Sequence, residues 1–168
     1  MKKILGVIGI IFIMVLAACS SPEADEVLEY HNAMAENINP KIDKIDELYT
    51  KVAAAASDEE ALEVFDNELV PLIGEIRDYY DSQKVESDVA KEYHKLHLEL
   101  VDAMDNVVQK EKEYLSAFLD ENSTEEDILA LEEELDELTE VAAEKDKAVS
   151  DHWDSLIEKY DFIEEEEE

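Results

Sequence analysis

The chain is 168 residues long, which leaves room for one domain and a targeting segment. Its 47 acidic residues against 14 basic ones give a formal charge of −33, which works against nucleic acid as a partner and also against anionic headgroups and phosphate-rich polymers. A single cysteine excludes an internal disulfide framework, while 46% apolar residues are enough to build a core.

The chain opens with Met1-Lys2-Lys3, a short positive start, followed by an uninterrupted apolar run from Ile4 to Val15. This is the pattern of a secretory signal, and the run is shorter than the ~20 residues a membrane-spanning helix needs. Leu16-Ala17-Ala18-Cys19 follows directly. The tetrapeptide resembles the lipobox of bacterial lipoproteins, in which small residues precede an invariant cysteine. The resemblance implies that Leu16, Ala17 and Ala18 form the signal-peptidase recognition site. It also implies that Cys19 receives a diacylglyceryl group and becomes the N-terminus, so a covalent lipid is expected and no other cofactor. Two acyl chains, at about 0.8 kcal/mol per buried CH₂, hold a protein stably on a membrane where one would not. Ser20 carries no inner-membrane retention signal of the Gram-negative type, and the reading leans towards a Gram-positive envelope. The expected location is the cell membrane, lipid-anchored, with the domain on the extracytoplasmic side.

Loss of residues 1–18 removes Lys2 and Lys3 from the 14 basic residues and no acid, leaving 12 against 47, a charge of −35. It also removes Gly6 and Gly9, so Gly74 is the one glycine of the mature domain. Strand-rich folds lean on glycine for tight turns, so this composition predicts helices. Ser21-Pro22-Glu23 is a helix start: a capping side chain, proline at the first position, then an acid. Val27, His31, Met34, Ile38, Ile42, Ile45, Leu48 and Val52 then recur at spacings of three and four and trace one apolar stripe. It keeps register through Pro40, which predicts a kinked helix, with two helices as the alternative.

Ser57-Asp58-Glu59-Glu60 reads as a capping box opening a second helix, with the stripe Leu62, Phe65, Leu69, Leu72, Ile76 and Tyr79 running past Pro71 and Gly74. Residues 81–86 read as a loop. Ser87 then caps a third helix carrying Val89, Tyr93, Leu96, Leu100, Met104, Val107, Tyr114 and Phe118. Ser123-Thr124-Glu125-Glu126 reads as another capping box, ahead of Ile128, Leu131, Leu135, Leu138, Val141, Val149, Trp153, Leu156 and Tyr160. The expected fold is therefore all-α, an antiparallel up-down four-helix bundle of long amphipathic helices with coiled-coil-like spacing and shallow crossings. The expected organisation is a signal peptide over 1–18, a lipidated anchor and short linker over 19–22, the bundle over 23–163, and an acidic tail over 164–168.

Four histidines could assemble a zinc or copper site with nearby carboxylates: His31, His94, His97 and His152. His94 and His97 lie three apart on one helix. No His-Glu-x-x-His or Glu-x-x-His occurs, so boundary histidines on helix faces are the plainer account. No EF-hand loop is present. There is no Gly-rich phosphate loop, no Gly-x-Ser-x-Gly elbow and no free thiol after lipidation, and no carboxylate pair stands out from the many, so no enzyme is expected. Tyr30, Tyr49, Tyr79, Tyr80, Tyr93, Tyr114, Trp153 and Tyr160 mostly sit on or beside the stripes and are expected as core aromatics, with Tyr79 and Tyr80 the most exposed. In architecture and acidity the mature domain loosely resembles small helical lipoproteins of Bacillus-type bacteria, some of them described as cell-wall-binding. The expectation is a non-enzymatic surface module that makes envelope contacts or binds a cationic protein, peptide or cell-wall component. The alternatives are a metal-binding lipoprotein using the histidines and a released hydrophobic signal fragment around Ile11–Ala18 with a signalling role.

Overall fold

A computed structural model describes residues 15–16 and 21–164; Ala17, Ala18, Cys19 and residues 165–168 lie outside the described part. The fold is all-helical. Five α-helices, α1 (Pro22–Ala54), α2 (Asp58–Val64), α3 (Val70–Ser82), α4 (Asp88–Ala117) and α5 (Glu125–Tyr160), are joined by short connections. A π-helical turn, Phe65–Leu69, fuses α2 and α3 into one run, so the bundle has four legs. A two-residue ladder pairs β1 (Val15–Leu16) with β2 (Ile163–Glu164). Cleavage before Cys19 would remove β1, so the ladder would belong to the precursor alone. Among the described residues no helix is long and apolar enough to cross a membrane.

The helices start where their caps place them. Ser21 accepts the Ala24 N–H at α1, Ser57 the Glu60 N–H at α2 and Ser87 the Ala90 N–H at α4. The Glu60 carboxylate reaches back to the Ala56 N–H, one residue ahead of the expected partner. At α5 the capping box is shifted by one residue from the expected Ser123. Thr124 accepts the Asp127 N–H, and the Asp127 carboxylate accepts the Thr124 N–H in return.

The prolines are absorbed in different ways. α1 is continuous through Pro40. Before Pro71 the ladder widens instead. The Asn67 side-chain amide donates to the Glu63 carbonyl at 2.9 Å, and the Val70 N–H bonds back to the Phe65 carbonyl. The widened turn accommodates Pro71, which has no N–H to donate, without breaking the run. Gly74 sits in the interior of α3, where an added Cβ would meet nothing within 4 Å. Gly74→Ala should therefore stabilise the domain by about 1 kcal/mol, raising Tm by about 3–4 °C in a thermal melt.

Pairings between helices give their directions. Lys41–Glu75 and Tyr79–Ala33 join α1 to α3, and Arg77–Asp102 and Tyr80–His97 join α3 to α4. Lys110–Glu134, Glu99–Lys145 and Tyr93–Trp153 join α4 to α5. In each pair of legs one number rises as the other falls, so consecutive legs run in opposite senses. The ion pairs are partly exposed and contribute little to stability. The core lies along the stripes: Val27, Met34, Ile38, Ile45, Leu69, Ile76, Tyr93, Leu100, Val149 and Leu156 are buried. Some stripe positions are displaced. Phe118 and Val141 are exposed, while Ala117 and Ala142 take the inward positions beside them. Helical phase drifts over legs of thirty residues, because 3.6 residues per turn does not match a 3.5-residue repeat.

Candidate functional site

All four legs contribute to one layer near the start of α1, and all four histidines are in or beside it. His31 lies on α1, His94 and His97 on α4, and His152 on α5. His31 and His97 are almost fully enclosed, at 1% and 0% exposure. Each of three imidazoles has a tyrosine hydroxyl at Nδ1: His31 with Tyr93 at 3.0 Å, His94 with Tyr30 at 3.1 Å, and His97 with Tyr80 at 3.2 Å. Trp153 from α5 stacks on His31 with ring centroids 3.5 Å apart and planes 5° apart, and its faces also meet Tyr93 and Phe162 at 5.7 Å. His152 stacks on Tyr93, and its Nε2 is buried without a hydrogen-bond partner among the described residues.

Burial sets the charge state here. Enclosure pushes His97 down to about 3, with the neighbouring His31, His94 and His152 acting in the same direction. Burial also lowers His94 and raises the Tyr30, Tyr80 and Tyr93 phenols. At neutral pH His94 and His97 are therefore neutral bases beside neutral phenols. A phenol that donates to Nδ1 leaves the imidazole proton on Nε2. Such pairs give the Nδ1 atoms of His31, His94 and His97 partners within an interior layer.

The fold gathers His31, His94, His97 and His152 at one end, but phenols occupy Nδ1 of three of them. Among the described residues no group of three or more His, Cys, Asp or Glu side chains is placed to hold a metal ion. Tyr80, expected as partly exposed, is 2% exposed because its hydroxyl meets His97; Tyr79 is half-buried, donating to the Ala33 carbonyl.

Two buried polar residues were missed by apolar periodicity. His97 and Glu111 lie on a run with Tyr93, Leu100, Met104 and Val108 at spacings of three and four. Counting polar residues in that series would have found both. Glu111 is 6% exposed and accepts the Tyr49 hydroxyl from α1.

The other end of the bundle has a different character. Between Glu125 and Glu144 α5 carries no lysine or arginine. Leu129, Glu132, Glu133, Asp136, Glu137 and Glu140 line a shallow open depression of about 350 Å³ on its outer face. Lys110 of α4 reaches this stretch and pairs with Glu134.

At the end where α1 begins, the Glu26 carboxylate accepts the Glu86 and Ser87 N–H groups, tying the α3–α4 loop to α1. The hydrogen bond from Ser87, then that from Glu86, holds its carboxyl below the usual range. No protein-family model, curated protein or solved structure matches the chain.

Proposed function

We propose that the protein is a lipid-anchored surface protein on the extracytoplasmic side of the membrane, whose helical bundle is a non-enzymatic contact module for a cationic partner. The observation that carries this reading is Leu16-Ala17-Ala18-Cys19 placed directly after the apolar run Ile4 to Val15. Helix α1 begins at Pro22, three residues past Cys19, so a lipid there would put the base of the bundle at the membrane. The histidine–tyrosine layer would then lie about nine residues, or roughly 13 Å, up α1. The acidic half of α5 pairs with the far half of α4 and would stand at the outer end. That separation keeps the acidic half of α5 away from anionic headgroups and within reach of a cationic protein, peptide or wall component. Charge attraction of this kind speeds encounter and falls with salt.

Cys19→Ala tests the anchor. Metabolic labelling with a fatty acid should mark the wild-type chain, which should sediment with membranes. The variant should lose the label and appear in the soluble fraction or as uncleaved precursor. A variant that is still labelled and membrane-bound through another residue would end the reading. For the contact role, the full chain in detergent should retain a polylysine peptide at low salt and release it at high salt, and retention that ignores salt would argue against it.

A further inference from the structure

Glu111 is a carboxyl enclosed at a helix–helix contact, with 6% of its surface exposed, and it touches no part of the histidine–tyrosine layer. From α1 the group facing it is the Tyr49 hydroxyl, which donates to Oε2 at 2.5 Å. Tyr49 in turn packs edge-on against Phe65, the first residue of the π turn. Three legs therefore meet around this one carboxyl.

The charged groups near it are committed elsewhere. On α1, Lys51 pairs with Glu68 of the π turn. On α4 itself, Lys112 pairs with Asp66 of the π turn, and Lys110 with Glu113 and with Glu134 of α5. From α2 the residues turned inward are Ala61 and Val64, while Asp58, Glu59, Glu60 and Glu63 are exposed. Among the described residues no lysine or arginine pairs with Glu111.

We propose that Glu111 is a pH-sensitive latch: protonated, it closes the dry contact between Tyr49 of α1 and α4, and on losing its proton to solvent it draws water in and loosens the end of the bundle where α1, the π turn and α4 meet. An ionised carboxylate in such a site has one hydrogen-bond donor and no counter-charge, and hydration of the charge is the remaining source of stabilisation. Burial raises its carboxyl to about 7 from an ordinary 4.5, against the opposing effect of the Tyr49 hydrogen bond. The closed form therefore holds a proton that the open form releases between those values. Closure is fully supported below pH 4.5, and that support is lost as pH rises through 7. The π turn beside it is the natural place for movement, because its ladder is already widened.

The test is amide hydrogen exchange on the full chain, corrected for intrinsic rates, at about pH 5 and about pH 8.5. Protonation of surface carboxylates acts on the wild type and on the variant alike, so the difference between the two carries the test. Protection over 45–52 and 104–115 should fall roughly tenfold or more in the wild type at the higher pH. Glu111→Gln, which keeps an acceptor for Tyr49, should hold its protection at both. Unchanged wild-type protection, or an equal fall in the variant, overturns the proposal. Should the variant not fold, carbon-detected titration of the Glu111 carboxyl decides the matter. A midpoint near 7 that moves together with the Tyr49 ring signals supports the latch, and an ordinary midpoint near 4.5 overturns it.

Discussion

Trp153→Ala is expected to remove about 3–5 kcal/mol of folding stability, the largest effect of any single change considered for this protein. Trp153 is the only tryptophan in the chain and is 8% exposed. It lies flat on His31 of α1 and stacks on Tyr93 of α4 and on Phe162. Truncation would open a cavity among rings held by their own hydrogen bonds, which cannot collapse into the space without breaking the Tyr93–His31 bond. Domains of this size are stable by only about 5–15 kcal/mol, so the variant should be close to unfolding at moderate denaturant. Phe162 should lose its seat at the same time. Trp153→Phe keeps an aromatic face on His31 and should be affected less, by about 1–2 kcal/mol. Urea titration followed by circular dichroism checks both. A Trp153→Ala loss below about 1 kcal/mol would mean that the ring layer does not hold α5 to α1.

Acid should weaken the bundle through His97, and the effect is expected to run over several pH units. Folded His97 takes up its proton at about 3, against a usual 6.5. Between those values the unfolded chain binds a proton that the folded chain does not. The stability tied to neutral His97 is whole above pH 6.5 and declines as pH falls towards 3, at up to about 1.4 kcal/mol per pH unit. Burial lowers His94 in the same direction. Protonation of surface carboxylates relieves repulsion and opposes this trend, so the informative quantity is a difference between two proteins. His97→Gln keeps an acceptor for Tyr80 and removes the titration. It should be less stable than the wild type near neutrality, and the gap should narrow by about 2 kcal/mol or more by about pH 4. Parallel stability curves for the two would show that His97 is hydrated in the folded state.

Much of the architecture is legible in the chain because it depends on neighbours in sequence. The serine caps at Ser21, Ser57 and Ser87, the proline at the first position of α1, and spacings of three and four in each leg act within one or two turns. Each predicts its helix without knowledge of the partner surface. The acidic surface and the tetrapeptide ending at Cys19 are likewise read directly, and they carry the proposed location and partner class.

The interior polar groups were not legible in that way. His31 pairs with Tyr93 across 62 residues, and Tyr49 with Glu111 across another 62. No local pattern distinguishes a histidine that will meet a phenol from one that will not, and in the fold three of the four have a phenol at Nδ1. The π turn before Pro71, where the Val70 N–H bonds back to Phe65, has no counterpart at Pro40, where α1 runs on as an α-helix, so a proline in the sequence does not by itself announce it. Phe118 and Val141 continue their stripes in sequence yet are exposed, because α4 has ended at Ala117 and helical phase drifts along the long α5, so only packing shows which turns still face inward. Sequence by itself determined where helices begin, which face is apolar and how acidic the surface is. The tertiary structure decided which buried polar groups meet, because those partners belong to different legs and burial alone makes their pairing matter.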